Sequence, residues 1–160
     1  MTLDALATLV GTRLKEKGLA LATAESCTGG WVAQVVTSVS GSSGWFDRGF
    51  VTYSNDAKRE MIGVRAETLD RHGAVSEETA REMAAGALAA SRAQIALAIT
   101  GVAGPTGGTP QKPVGMVCFA WAVRGGPADS ATKHFAGDRE AVRRESVIFA
   151  LQGVVERVQR

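Results

Sequence analysis

Two short apolar runs that each break into a glycine-rich loop constrain the fold of this chain most. Leu19–Thr23 leads into Ala24-Glu25-Ser26-Cys27-Thr28-Gly29-Gly30, and Ile95–Thr100 leads into Gly101-Val102-Ala103-Gly104-Pro105-Thr106-Gly107-Gly108. Runs this short, bounded by turn residues, read as buried strands. Helical periods surround them. Thr2 caps a helix with Leu3, Leu6, Leu9, Val10 and Leu14 on one face, and Gly18 lies past its end. A second helix opens near Trp31. Phe50–Tyr53 reads as a strand, and Asn55 as the N-cap of a short helix reaching Ile62, followed by a polar stretch through Gly73. Ser76 caps a long helix with Glu77 and Glu78 in its first turn and Ala80, Met83, Ala84, Ala87 and Leu88 on its buried face. Val114–Val123 and Ala131–Phe135 read as antiparallel strands joined by a Gly-Gly-Pro turn. Asp138 caps a last helix with Val142, Ile148, Phe149, Leu151, Val155 and Val158 toward the core. The expected fold is α/β: a single-domain mixed β-sheet with helices packed on it, covering residues 1–160.

A chain of 160 residues can bury one substantial core, and 45% hydrophobic with 21% charged residues is ordinary for a globular protein. A net charge of +2 gives no reason to expect a nucleic-acid partner. Arg139, Arg143, Arg144, Arg157 and Arg160 nevertheless cluster in sequence and suggest a local anion site. Cys27 and Cys118 match no metal or redox spacing, which points to a reducing compartment. Neither a leader nor a membrane-spanning run is visible, so the expectation is cytoplasmic, with no membrane partner. Homo-oligomerisation stays open. The only histidines are His72, at an expected helix end, and His134, within a strand. A Ser-His-Asp triad or a histidine-bound zinc is therefore not expected, and no metal or cofactor is assigned.

The chemistry concentrates in Gly41-Ser42-Ser43-Gly44 and Tyr53-Ser54-Asn55-Asp56-Ala57-Lys58, which supply a hydroxyl, a phenol and an amine. An amine serves as a base only if its pKa falls well below about 10.4. In the first turn of a helix, Lys58 would meet the positive end of the macrodipole, which favours its neutral form. This combination points to serine–lysine amide chemistry, although Ser43 alone reads as a turn residue and Lys58 alone as a surface amine. The Glu25–Gly30 loop offers backbone amides for an anion or oxyanion, or is simply a capped strand-to-helix turn. Cys27 is a small buried residue or, less expectedly, a nucleophile. The Gly101–Gly108 loop is neither a Walker A loop nor a dinucleotide fingerprint. Thr100 ends its strand and could donate into a site.

Seven blocks occur in order: Ala24-Glu-Ser-Cys-Thr-Gly-Gly30, Gly41-Ser-Ser43, Tyr53-Ser-Asn-Asp-Ala-Lys58, Gly73-Ala-Val-Ser-Glu77, Thr100-Gly-Val-Ala-Gly-Pro105, Lys112-Pro-Val-Gly115 and Gly137-Asp-Arg139. By these blocks, over nearly its whole length, the chain resembles the C-terminal domain family of the competence/damage-inducible protein CinA, the nicotinamide mononucleotide (NMN) deamidases. It looks like the stand-alone form, without the N-terminal domain some members carry. The resemblance implies hydrolysis of the carboxamide of NMN to nicotinate mononucleotide and ammonia, without a metal, in pyridine nucleotide recycling. It implies Ser43 as nucleophile, Lys58 as base and Tyr53 as a polar catalytic partner, and the choice of Ser43 over Ser42 rests on it alone. Thr100, Arg139, Glu25, Asn55 and Gly101 fall on its substrate-binding motifs, with Arg139 suited to the phosphate. Two alternatives remain: an amidase using Cys27 with Lys58 and Glu25, and a non-catalytic nucleotide-binding module.

Overall fold

The computed structural model describes residues 1–159. Its elements are α1 (Leu3–Lys17), β1 (Leu21–Glu25), α2 (Trp31–Thr37), a 3-10 turn (Ser42–Gly44), β2 (Phe46–Val51), α3 (Asn55–Ile62), α4 (Ala66–His72), α5 (Glu77–Ala89), β3 (Ile95–Gly101), β4 (Met116–Val123), β5 (Asp129–His134) and α6 (Arg139–Gln159). The five strands form one sheet in the order β2-β1-β3-β4-β5. β1 pairs in parallel with both β2 and β3, and β4 runs antiparallel to β3 and β5. The expected mixed α/β sheet is the observed one.

Side-chain size separates the two faces of the sheet. Leu21, Ile95, Leu97, Ile99, Val117, Phe119 and Trp121 join one core with α1, α2 and α6. Ala22, Ala24, Ala96, Ala98, Cys118, Ala120 and Ala122 face α3, α4 and α5. Large side chains keep the first helix layer away from the sheet, whereas a surface of alanines lets α5 settle closely against it. Both faces of the central strands are covered, as their near-continuous apolar sequences require.

Closeness continues outward from α5. An ideal Cβ on Gly86 would lie 1.8 Å from the carbonyl oxygen of Ile62, the last residue of α3. The glycine is thus what allows α3 to dock on α5. α6 is seated on the opposite face by Trp121, whose indole N–H donates to Ala150 O at 3.0 Å. Gly153 leaves room for that ring, since a Cβ there would come within 2.3 Å of it.

Several boundaries differ from the sequence expectation, each for a physical reason. The first strand begins at Leu21 because Gly18 and Leu19 close the end of α1, donating to the carbonyls of Lys15 and Leu14 at 3.1 and 2.9 Å. The second runs over Phe46–Val51, not Phe50–Tyr53; it is an edge strand whose Asp47, Arg48 and Gly49 carry no apolar alternation. Within the stretch expected to be irregular lies α4. Its N-terminus is capped from α5, where Glu82 accepts from the backbone N–H of Arg65 at 2.9 Å and from the Thr68 hydroxyl. Ser54, not Asn55, caps α3 by accepting from Ala57 N at 3.0 Å. The caps at Thr2, Ser76 and Asp138 are present as expected. Arg160 lies outside the described residues.

Replacing Gly86 by alanine should separate α3 from α5. The overlap with a backbone oxygen should outweigh the roughly 1 kcal/mol of helix propensity gained. Net destabilisation of about 2 kcal/mol and a Tm lower by about 6 °C are expected in thermal unfolding. A Gly86→Ala protein as stable as wild type would contradict this packing.

Candidate active site

β2 and β3 lie on opposite sides of β1, so the chain changes direction at the carboxyl end of β1. That is the position where open α/β sheets hold ligands. A cleft of about 260 Å³ opens there, lined by Ser26 and Cys27 after β1, Tyr53, Asn55 and Lys58 after β2, Thr100 and Gly101 at the end of β3, and Arg139 at the start of α6, with Ala74, Val75 and Ala103 as apolar walls.

Lys58 is its centre. The side chain is 1% exposed, and its Nζ lies 2.9 Å from Ser26 Oγ, 2.8 Å from Thr52 O and 3.2 Å from Tyr53 O. All three partners are neutral. Burial lowers the Lys58 pKa from the ordinary lysine range, with Cys27 opposing the shift to a smaller degree. The geometry suits a neutral amine. A backbone carbonyl can only accept, so the two N–H groups of the amine go to Thr52 and Tyr53. As an ammonium, Lys58 donates to Ser26 Oγ as well; as a neutral amine, its lone pair would face Ser26 and accept from that hydroxyl. An amine and a hydroxyl at this distance can exchange a proton.

Ser43 is not part of this arrangement. It sits exposed in the 3-10 turn ahead of β2, whereas Lys58 follows the other end of that strand. Six residues of strand separate the two by roughly 20 Å. The serine beside the lysine is Ser26, which is more distant in sequence but ends the strand parallel to β2.

Glu25 is turned toward α2. Its carboxylate is buried and accepts from the backbone N–H groups of Val32 and Ala33 at 2.9 and 3.1 Å, capping α2. Both oxygens are engaged by α2, and Glu25 holds the Ser26 loop without being among the residues lining the cleft. Tyr53 reaches Lys58 through its carbonyl. Its phenol lies at the cleft mouth, 63% exposed, where Arg139 Nη2 approaches Tyr53 Oη at 3.5 Å. Arg139 Nη1 donates to Gly104 O at 2.9 Å. Freed from capping, Asn55 lines the cleft with its side chain exposed. Thr100 is buried and donates to Ala74 O at 2.8 Å, tying β3 to the α4–α5 connection. Gly101 has no room for a side chain, because a Cβ would lie 2.9 Å from Met116 O.

Cys27 is 6% exposed, and burial pushes its thiol pKa up to about 12, Arg143 opposing the shift. It is a protonated thiol at working pH, in keeping with a small buried residue. His72 and His134 do not line the cleft. Among the described residues, no three His, Cys, Asp or Glu side chains gather into a metal site, and no helix is long and apolar enough to cross a membrane.

The lowered Lys58 pKa has a consequence for stability. Between the folded and unfolded pKa values the unfolded chain binds the extra proton, so this group's contribution rises with pH. It is lost as pH falls through that window. Relative to Lys58→Met, the wild type should therefore gain unfolding free energy as pH rises toward the ordinary lysine pKa of about 10.4. Denaturant titrations across this range test it, and parallel curves for the two proteins would contradict a lowered pKa.

Comparison with known proteins adds independent findings. The CinA C-terminal domain family matches residues 3–158. The nicotinamide-nucleotide amidohydrolase PncC of Escherichia coli is 59% identical over 143 residues, which cover 89% of this chain and 87% of that protein. The protein of the same name from Enterobacter agglomerans is 51% identical over 150 residues, 94% of this chain and 92% of its own. Among solved structures, the competence/damage inducible protein CihA from Agrobacterium tumefaciens has a TM-score of 0.95 at 45% identity, covering 99% of this chain and 96% of that one.

Proposed function

This chain belongs to the CinA C-terminal domain family, and we propose that it is a cytoplasmic, metal-independent amidohydrolase. Its proposed substrate is NMN, hydrolysed to nicotinate mononucleotide and ammonia with Ser26 as nucleophile and Lys58 as base. The observation that carries this reading is the 2.9 Å approach of Lys58 Nζ to Ser26 Oγ, with the other two Nζ contacts on backbone carbonyls.

Ser26 Oγ attacks the carboxamide carbon while its proton passes to Lys58 Nζ. The resulting ammonium donates that proton to the amide nitrogen as the C–N bond breaks, and ammonia leaves. A water then attacks the Ser26 ester, again giving its proton to Lys58. Collapse of this second intermediate releases the carboxylate and returns the proton to Ser26. One base serves both halves of the reaction.

Recognition follows from the same cleft. The pyridinium ring of the substrate is a cation, and the exposed ring of Tyr53 at the mouth offers a π face to it. Arg139 stands where this cleft meets a second of about 450 Å³, lined by Ala103, Pro105, Val114, Gly137, Asp138 and Glu140. Two of the five guanidinium N–H donors of Arg139 are used by Gly104 and Tyr53, which leaves others for a phosphate. Asn55 and Thr100 are the uncharged polar groups closest to hand for the carboxamide and ribose.

Ammonia release from NMN should fall by about three orders of magnitude or more in Ser26→Ala. It should stay within about twofold of wild type in Ser43→Ala and Cys27→Ala, neither of which supplies the hydroxyl at Lys58. Loss confined to Ser43→Ala or Cys27→Ala would transfer the nucleophile to that residue, and no ammonia from wild type would favour a binding module. In wild type the rate should decline on the acid side as Lys58 gains a proton.

Arg139→Ala should lower kcat/KM for NMN by about tenfold to a hundredfold while changing that for the nicotinamide riboside little. Equal losses on both substrates would remove the phosphate role.

A further inference from the structure

Arg143 lies one turn beyond Arg139 on α6 and points at the back of the loop that carries Ser26. Its Nε donates to Cys27 O at 3.0 Å and its Nη2 to Thr28 O at 3.2 Å. The guanidinium also lies 5.4 Å from the ring centroid of Trp31, the first residue of α2. Two carbonyls of consecutive residues are thus held by one planar fork, a task a lysine cannot reproduce. Through these bonds Arg143 holds the backbone of the Ser26 loop on the C-terminal side of Ser26.

The consequence falls on the Ser26–Cys27 peptide. Ser26 O accepts from Gly29 N at 3.0 Å, inside the turn. In a trans peptide the N–H points opposite the C=O, so the Cys27 N–H is directed out of the turn. Among the described residues that N–H meets only the thiol of Cys27 itself, a weak acceptor that an oxyanion would displace, and Cys27 lines the cleft beside Ser26. An N–H on the residue following a nucleophile is placed to stabilise the tetrahedral oxyanion. Its direction depends on the turn keeping its shape. Glu25 fixes the loop from the helix side through Val32 and Ala33, and Arg143 fixes it from the other side through the carbonyls. The left-handed Gly29 and Gly30 would otherwise leave the turn free to adopt other conformations.

We propose that Arg143 is a positioning residue of this reaction: by holding the carbonyl oxygens of Cys27 and Thr28 it presets the Cys27 N–H as the oxyanion donor. It does not touch substrate. The proposal rests on Ser26 being the nucleophile.

The test is Arg143→Met, which removes the fork and keeps an apolar chain against Trp31. With NMN, kcat should fall about a hundredfold, KM should change by less than about threefold, and the acid limb of the rate profile should stay where it is. A second readout isolates the oxyanion. The aldehyde analogue, 3-formylpyridinium mononucleotide, would add Ser26 Oγ to its carbonyl carbon as a hemiacetal, the proton ending on the new oxygen or on Lys58. Its inhibition constant should rise by about the same hundredfold in Arg143→Met, while the affinity for nicotinate mononucleotide stays unchanged. If Arg143→Met does not fold, Arg143→Lys, which can reach only one carbonyl, should show an intermediate loss in the same two measurements. An unchanged kcat, a loss expressed in KM alone, a displaced acid limb or an unaltered aldehyde affinity would each overturn the proposal. Ser26→Ala in the same assay separates the two claims. Inactive Ser26→Ala with a normal Arg143→Met rejects only the Arg143 role, whereas an active Ser26→Ala rejects the underlying nucleophile.

Discussion

Lys58 is buried without a counter-charge, and the site takes its form from that one constraint. Burial disfavours an unpaired ammonium in such a place and lowers the Lys58 pKa toward the neutral amine. A neutral amine has two hydrogens and one lone pair, and the carbonyls of Thr52 and Tyr53 take the hydrogens. In that form the lone pair would face Ser26, the remaining partner of Nζ. Placing Lys58 in the first turn of α3 adds the helix macrodipole to the same bias. A nearby carboxylate would stabilise the ammonium and undo this, and the one next to Ser26, Glu25, is turned toward the amides of α2.

The fold delivers that arrangement through side-chain size. Alanines on one face of β1, β3 and β4 bring α5 close, and Gly86 brings α3 close to α5. Lys58 is thereby pressed toward the carboxyl ends of β1 and β2. On the other face, larger residues and Trp121 seat α6, whose first turns carry Arg139 to the cleft mouth and Arg143 to the back of the Ser26 loop. The two helix layers therefore act on the same loop from opposite sides of the sheet.

Much of this was legible in the sequence where the causes are local. Caps at Thr2, Ser76 and Asp138, together with helical periods, locate α1, α5 and α6, and the apolar runs locate β1, β3 and β4 to within a few residues. The helix α4 was invisible because its cap is Glu82, on another helix. β2 was displaced because an edge strand need not alternate. The same non-local cause hides which serine contacts Lys58. Ser43 is nearer to Lys58 along the chain, but a strand extends between them. Ser26 is brought in by parallel pairing of β1 with β2, which no local spacing records. Arg143 stood out only as one of several C-terminal arginines, because its two carbonyl partners lie more than a hundred residues earlier.

The protonation state of Lys58 tests the account most directly. Selective 13Cε labelling of lysine, with Lys58→Met to assign its signal, allows that one amine to be titrated by NMR in the unliganded protein. The account predicts a midpoint below the ordinary value of about 10.4. A Lys58 signal that titrates at or above the ordinary value would mean an ammonium faces Ser26 at working pH, and the serine–lysine base would be contradicted.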